Sequence, residues 1–465
     1  MIINPPSDHP SRATAGSIRS LAASLLDGSS GRLPFAPDGT RREEVYRMAV
    51  ALQDAVVSAG EPRMPICLCA ENKAVVSAAL LAALSSAIPI VVPHAYTASA
   101  LAEARKAIDF RLVVVDGPRS LPHGLIAVTS DPSATHEKGL SRVSTLEPDL
   151  PWVYLFTGGS TGKPCLWSKT PRNLLGETRH IIDRFHVSSE DRILATVPVN
   201  HIYGLLYAIL LPLVSGAAVS MRSPAYPVEI LSTLERERTT VLVSIPTHYR
   251  ALAGQRFGPL GLRHALSSAG PLRPQDDRSF TSKSRVALTE IYGSTETGGI
   301  ATRCRGQGQP YLVPYSVVDW RIDAERLDIR SAFLSPELGR DAEGFHTVPD
   351  RVKAEGDDGF EVAGRNDGIV KVGGKRVDLG RVAQVLEACE GVRDAQVVSA
   401  PVDSGRDNVL LAVVEGSVGV EPIEARAIQL LEPHERPRQI KVVAEMPRSR
   451  AGKIDHGSIM RLFEM

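Results

Sequence analysis

Between about residues 64 and 300 the chain alternates short β-branched runs with stretches of helical period. Leu112-Val113-Val114-Val115, Trp152-Val153-Tyr154-Leu155-Phe156, Ile193-Leu194-Ala195-Thr196-Val197 and Val241-Leu242-Val243-Ser244-Ile245 are too short for helices. Their stiff, apolar side chains predict strands. Val75 to Leu84 and Pro227 to Arg238 repeat at the helical spacing. Strand and helix in alternation predict an α/β architecture of sheets with helices on their faces. Around residues 310 to 365 the pattern turns to short strands and Gly/Asp turns, which predicts a small β-rich subdomain. After Gly364 a new unit begins: a strand from Ile369 to Val372, a turn at Gly373-Gly374, a helix from Leu379 to Glu390, strands at Ala395 to Ser399 and Val409 to Val414, a helix, and a strand from Gln439 to Val443. About 100 residues of α+β suffice for a small domain of their own. The first 60 residues show no comparable pattern.

Composition narrows the field. With 465 residues, 43% of them apolar, the chain can bury a sizeable core, so disordered and fibrous classes are excluded. Lys plus Arg (53) balances Asp plus Glu (53), so no global field draws the chain to nucleic acid or an anionic membrane. Any anion must be held locally. The five cysteines, Cys67, Cys69, Cys165, Cys304 and Cys389, form no zinc spacing and fit a reducing, cytoplasmic setting. Cys67 and Cys69 share one face of a strand and read as core. The amino terminus lacks a secretory layout. Two stretches without Asp, Glu, Lys or Arg, Ala74 to Pro93 and Ile193 to Met221, are broken by prolines and read as buried helix plus strand, so no membrane span is expected.

Four motifs carry candidate chemistry. Directly after an apolar strand comes Thr157-Gly158-Gly159-Ser160-Thr161-Gly162-Lys163-Pro164. Its glycines let main-chain N–H groups close on a phosphate, while the hydroxyls and Lys163 add donors and a cation. The P-loop pattern fails, because it needs Gly at Thr157 and Ser or Thr at Pro164. Tyr292-Gly293-Ser294-Thr295-Glu296-Thr297 sets one acid among hydroxyls on a turn, a suitable ligand for Mg²⁺ with substrate phosphates completing its shell. Gly364-Arg365-Asn366-Asp367-Gly368-Ile369-Val370-Lys371 and Pro447-Arg448-Ser449-Arg450-Ala451-Gly452-Lys453-Ile454 are the others. Singly, each has a plain alternative as a Gly-rich or charged surface turn.

Together, in this order and spacing, the four resemble the adenylate-forming superfamily of acyl- and aryl-CoA synthetases, nonribosomal adenylation domains and luciferases. A weaker match is Pro198-Val199-Asn200-His201-Ile202-Tyr203-Gly204. The resemblance implies ATP- and Mg²⁺-dependent formation of an acyl-adenylate from a carboxylic acid with release of pyrophosphate, then transfer to a thiol. It also implies an adenylation domain over residues 1–366 and a small mobile domain over 367–465. Thr157, Gly158, Gly159, Ser160, Thr161, Gly162 and Lys163 then cradle pyrophosphate, Glu296 holds the metal with the catalytic Thr295 on the α-phosphate, and Gly293 belongs to the same nucleotide-binding turn. Tyr292 packs on adenine, Asp350 holds the ribose with Arg365 assisting, and Lys453 bridges carboxylate and α-phosphate. Asp367 is the hinge, and Gly373-Gly374 lines the thiol's approach.

Two departures stand out. Cys165 occupies the place of the usual loop lysine, leaving Lys163 or Lys169 to supply that charge, and Asp350 follows Val348-Pro349 in place of Thr-Gly. These departures keep a non-catalytic ATP-binding partner of a synthase complex open beside the enzyme. The helix after His201 lacks the acid with which amino-acid-activating members pair an ammonium group. His201, Tyr203 and Gly204, with Ser244, His248, Ser268, Ala269 and Gly270, fit an apolar or aromatic acyl pocket. A hydroxybenzoate fits that composition, and so do medium-chain fatty acids. The PCLW continuation of the loop is similar to the aryl-carboxylate ligases of aryl-polyene pigment pathways such as xanthomonadin formation, which load an acyl carrier protein. Between Arg436 and Arg461 seven Lys/Arg face two Asp/Glu, an asymmetry suited to an acidic carrier protein or to the phosphates of coenzyme A.

Overall fold

The computed structural model describes residues 2–3, 14–28, 31, 33–59, 64–130, 140, 146–157, 165–258, 260–365, 368–372, 375–401, 408–449, 452 and 454–463. Among them, one sheet runs from edge to edge as Ile126–Thr129, Leu112–Val115, Ile66–Cys69, Ile90–Val92, Val153–Thr157 and Cys165–Lys169. Its neighbours are parallel until the last pair, a hairpin that turns back through the Gly-rich motif. Parallel strands are covered on both faces, and Ile66–Cys69, Ile90–Val92 and Leu112–Val115 are buried along their whole length. Cys67 and Cys69 lie in that core with their sulfurs 3.9 Å apart.

A second sheet is parallel through Ala218–Val219, Arg192–Ala195, Val241–Ser244, His264–Ser267 and Leu288–Ser294, and antiparallel beyond. The β-rich segment of residues 310 to 365 is a continuation of this sheet, joined through the Leu312–Phe360 pair and packed on a core of its own around Trp320, Leu327 and Ile329. Short strands and tight turns signal antiparallel pairing without saying which sheet they extend.

The stretch from Ala74 to Pro93 forms the buried helix Lys73–Ser86 and the strand Ile90–Val92. The stretch from Ile193 to Met221 forms strand, helix with a wide-turned section at Leu205–Leu210, and strand. No helix among the described residues is long and apolar enough to cross a membrane. Two helices, Ala15–Leu26 and Arg42–Ser58, occupy the region where no pattern was read. The second buries Val45, Met48, Ala49, Leu52 and Val56, a helical stripe interrupted by polar neighbours.

The unit after Gly364 has a hairpin of Ile369–Val372 with Lys375–Asp378, the helix Leu379–Glu387, and a sheet of Val392–Pro401, Asn408–Gly416 and Gln439–Val443 carrying helices Val420–Leu430 and His456–Leu462. The first helix stops three residues short of Glu390, ahead of Gly391, which turns at φ 84°. Among the described residues, its two apolar clusters draw on positions from Val370 onward.

Candidate active site

Glu296 lies on the turn between the antiparallel strands Leu288–Ser294 and Gly298–Cys304. The turn is closed by its own hydroxyls: Ser294 N–H donates to Thr297 Oγ1 (3.0 Å), and Thr297 N–H donates to Ser294 Oγ (3.2 Å). Gly293 is obligatory because a Cβ there would lie 2.3 Å from the carbonyl oxygen of Gly298. Glycine thus permits the close strand approach, the hydroxyls lock the turn, Thr295 is buried, and Glu296 is half-buried.

Under this turn lies a buried pair that the motif does not reveal. Lys169, at the end of the Cys165–Lys169 strand, donates from Nζ to the main-chain oxygens of Glu296 (3.2 Å) and Phe333 (2.9 Å). Burial pushes its ammonium down to about 8, opposed by the charges of Glu177, Glu296 and Glu337. Glu177, on the helix Pro171–Phe185, accepts from Gly299 N–H at 2.8 Å, and burial raises its carboxyl pKa against the pull of Lys169. Of the two lysines left to supply the loop charge, Lys163 and Lys169, the second is therefore set aside. It pairs with Val153, four residues from the loop, and its ammonium is committed to carbonyls. Glu177 was legible from period, standing four residues from both Asn173 and Ile181, which are buried.

Thr157 ends its strand opposite Cys165, with Oγ1 donating to the Cys165 carbonyl at 3.4 Å. Gly158, Gly159, Ser160, Thr161, Gly162 and Lys163 lie outside the described residues, as do Asp367, Gly373, Gly374 and Lys453.

Tyr292 Oη donates to Asp350 Oδ2, and its ring meets Phe360 edge-on at 5.8 Å. Asp350 is the strand partner of Arg365. The structure thus gathers Tyr292, Asp350 and the backbone of Arg365, which are separated by up to 73 positions, beside the Glu296 turn. Val348 is buried beneath the strand in the place where the family pattern has threonine.

At the carboxyl ends of two adjacent parallel strands, where α/β sheets gather ligands, Thr196, Ser244 and His248 form one hydrogen-bonded group. Thr196 Oγ1 lies 2.7 Å from Ser244 Oγ, and His248 Nδ1 lies 2.9 Å from Thr196 Oγ1 and 3.3 Å from Ser244 Oγ. Burial pushes the imidazole down to about 4, which keeps it neutral at pH 7. Ser268 Oγ donates to Ile291 O at 2.9 Å, Ala269 takes φ 72°, and a Cβ on Gly270 would meet nothing within 4 Å. Gly204 answers to packing, because a Cβ would stand 2.0 Å from the Pro198 carbonyl oxygen. Tyr203 is a core residue, edge-on to Tyr207 at 5.0 Å, and His201 precedes the short helix Ile202–Gly204 at half burial.

The carboxyl-terminal motif reaches this region. Arg448 and Ile454 pair as a bridge, Gly452 N–H donates to Ser449 O (2.9 Å), and Arg448 Nη1 donates to Gly452 O (2.9 Å). Gly452, at φ 74°, sits so close to Ile245 that a Cβ would come within 2.4 Å of its Cδ1 and 3.5 Å of Thr247 Oγ1. Arg448 also pairs with Asp394, which is 3.4 Å from Arg273 on the opposite unit. Arg273 reaches Glu387 at 3.7 Å as well, and Arg351 pairs with Asp378. Much of the basic stretch is engaged internally: Arg436 holds the carbonyls of Leu431 and Ile428, and Lys441 that of Leu462.

The AMP-binding enzyme family matches residues 41–328, well over half of the sequence and inclusive of both the Gly-rich hairpin and the Glu296 turn. The chain belongs to the AMP-binding enzyme family. This AMP-binding enzyme is 30% identical over 310 residues to a 4-coumarate–CoA ligase of Rhodobacter capsulatus, a match covering 64% of this chain and 73% of that protein. It is 26% identical over 350 residues to a sulfoacetate–CoA ligase of Cupriavidus necator, covering 69% of each. Its fold is that of O-succinylbenzoate coenzyme A synthetase from Bacillus subtilis, solved in complex with ATP and magnesium ion (TM-score 0.78, 16% identity, 93% of this chain and 98% of that one). The AMP-binding enzyme is an AMP-forming acid–thiol ligase, of α/β fold.

Proposed function

We propose that the chain activates an apolar or aromatic carboxylic acid as its acyl-adenylate and passes the acyl group to a phosphopantetheine thiol, with residues 1–366 holding ATP and residues 367–465 bringing Lys453 to the reaction. The observation that carries this reading is the seat of Gly452 against Ile245 and Thr247. It sets the residue before Lys453 beside the strand end bearing Ser244. In the first step a carboxylate oxygen attacks the α-phosphorus and pyrophosphate leaves. An anion meeting a polyanion needs cations and N–H donors set in place beforehand.

Glu296 suits Mg²⁺, which takes one or two carboxylates and leaves the rest of its shell to water and phosphate. The metal supplies charge neutralisation on the phosphates. Tyr292 and Asp350 hold the nucleoside, and Lys453 draws the carboxylate oxygen to phosphorus. The neutral His248 and the open space at Gly270 support a ring substituent that accepts or donates a hydrogen bond, in keeping with the 4-coumarate in the name of one relative.

Pyrophosphate release is measured with benzoates, hydroxybenzoates, cinnamates and medium-chain fatty acids, offering coenzyme A and phosphopantetheinylated acyl carrier protein as separate acceptors. Acid-dependent release that is greatest with hydroxylated aromatic acids, and abolished by Glu296→Gln, is expected. Preference for fatty acids overturns the aromatic part, and absence of acid-dependent release with every acid overturns the whole.

A further inference from the structure

The buried Lys169–Glu177 pair does nothing in the chemistry proposed above, yet it touches both sides of the turn that bears Glu296. Lys169 holds the Glu296 carbonyl oxygen before the turn closes, and Glu177 holds the Gly299 N–H after it. Neither contact is casual. Both side chains are almost fully buried, and a Cβ on Gly298 would lie 2.7 Å from Glu177 Oε2, so the carboxylate is packed against the strand it holds. Ser335 N–H donates to the same Glu296 oxygen at 2.8 Å. Lys169 therefore ties together the strand leaving the Gly-rich hairpin, the Glu296 turn and the Phe333 segment.

A buried charge pair is seldom the cheapest way to stabilise a core, since well-packed apolar residues often do as well. What such a pair supplies here is direction. Glu296 can place its carboxylate only as accurately as its own backbone is fixed, and its carbonyl is fixed by an ammonium.

We propose that Lys169 and Glu177 are positioning residues that set the Glu296 carboxylate for divalent-cation binding. This rests on the reading of Glu296 as the metal ligand. Groups that orient metal ligands from behind are worth roughly 10- to 100-fold in metal affinity.

The test uses the full chain with α,β-methylene-ATP, which cannot release pyrophosphate, and follows Mn²⁺ binding by electron paramagnetic resonance. Lys169→Met is expected to weaken Mn²⁺ binding by about 10- to 100-fold, leaving transfer from a supplied acyl-adenylate to thiol at the wild-type rate. Because Lys169→Met strands Glu177 in the core, the double variant Lys169→Met/Glu177→Met is measured alongside it. Replacing the whole pair removes the stranded charge, so thermal stability returns while Mn²⁺ binding stays weak. Mn²⁺ binding restored together with stability, or unchanged in a folded Lys169→Met protein, overturns the proposal. Glu296→Gln separates this from the underlying reading: if that variant binds Mn²⁺ normally, Glu296 is not the ligand and both fall; if it loses the ion while the pair variants keep it, only the positioning role falls.

Discussion

Gly452→Ala tests the docking of the carboxyl-terminal loop, because two distinct costs meet at one atom. The φ of 74° lies in the left-handed region, where a Cβ costs about 1 to 2 kcal/mol. That cost falls on docking, since an undocked loop can turn the residue to negative φ. The second cost is steric. The new Cβ would lie 2.4 Å from Ile245 Cδ1, and Ile245 is itself buried, so its terminal methyl must leave its rotamer well at about 1 kcal/mol. Together these amount to about 2 to 3 kcal/mol, or roughly a 30- to 150-fold loss wherever docking is required. The assay divides the reaction. On the proposed reading ATP–pyrophosphate exchange uses the docked loop and is expected to fall by that factor, whereas thioester formation from a supplied acyl-adenylate is expected to change by less than about twofold. Ile245→Val removes Cδ1, so the double variant should regain the steric share, about fivefold, and leave the backbone share unrecovered. Equal loss in both half-reactions, or no recovery with Ile245→Val, would show that Gly452 does not seat here during adenylation.

Three further outcomes follow from the same geometry. Arg273→Ala removes the contacts to Glu387 and Asp394, partly exposed pairs worth about 0.5 kcal/mol each; pyrophosphate exchange should drop about fivefold, transfer should hold, and high salt should produce a like effect in the wild type. Tyr292→Phe deletes the donor to Asp350; a hydrogen bond to a charged group is worth about 1.5 kcal/mol or more, so KM for ATP should rise about tenfold with kcat little altered, and an unchanged KM would count against the nucleoside role of the pair. The third concerns pH. Since folding holds His248 down to about 4 from an ordinary value of 6.5, the unfolded chain takes up a proton first on acidification. The full stability is present above pH 6.5 and is lost between 6.5 and 4, by at most about 3 kcal/mol. Urea midpoints measured from pH 7.5 to 4.5 should therefore fall more steeply for wild type than for His248→Gln, and parallel slopes would refute the assignment.

The sequence made the fold class legible because strand and helix differ in period, and the buried runs at Leu112–Val115 and Val241–Ser244 leave no other reading. It also made the Glu296 turn legible, because Gly293 and the Ser294/Thr297 hydroxyls are local requirements met by neighbours in the chain. What it concealed is of two kinds. The sheet continuity through Leu312 and Phe360 depends on a pairing across 48 positions, which no local pattern encodes. The partners of charged residues were hidden for the same reason. Lys169 reads as a spare cation until the carbonyls of Glu296 and Phe333 are seen closing on it. Within the basic run of residues 436–461, nothing local announces that Arg448 meets Asp394 or that Arg436 holds the end of the helix Val420–Leu430.

Where the cations are placed also says how the site manages charge. A lysine left exposed near the phosphates attracts the nucleotide at all times, whereas on the proposed reading one carried on the loop that docks through Gly452 contributes only when the unit after Gly364 is seated. In this chain the position of the usual loop lysine is the exposed Cys165, and the neighbouring Lys169 is withdrawn into the core onto the carbonyls of Glu296 and Phe333. That leaves Lys163 as the lysine within the loop. Coulomb attraction rises steeply as a cation approaches, so on the proposed reading the Lys453 loop adds most to the attacking carboxylate when it is seated. On the proposed reading, the contacts that join the two units, Arg273 with Asp394 and Glu387, bear on adenylation without touching the phosphates.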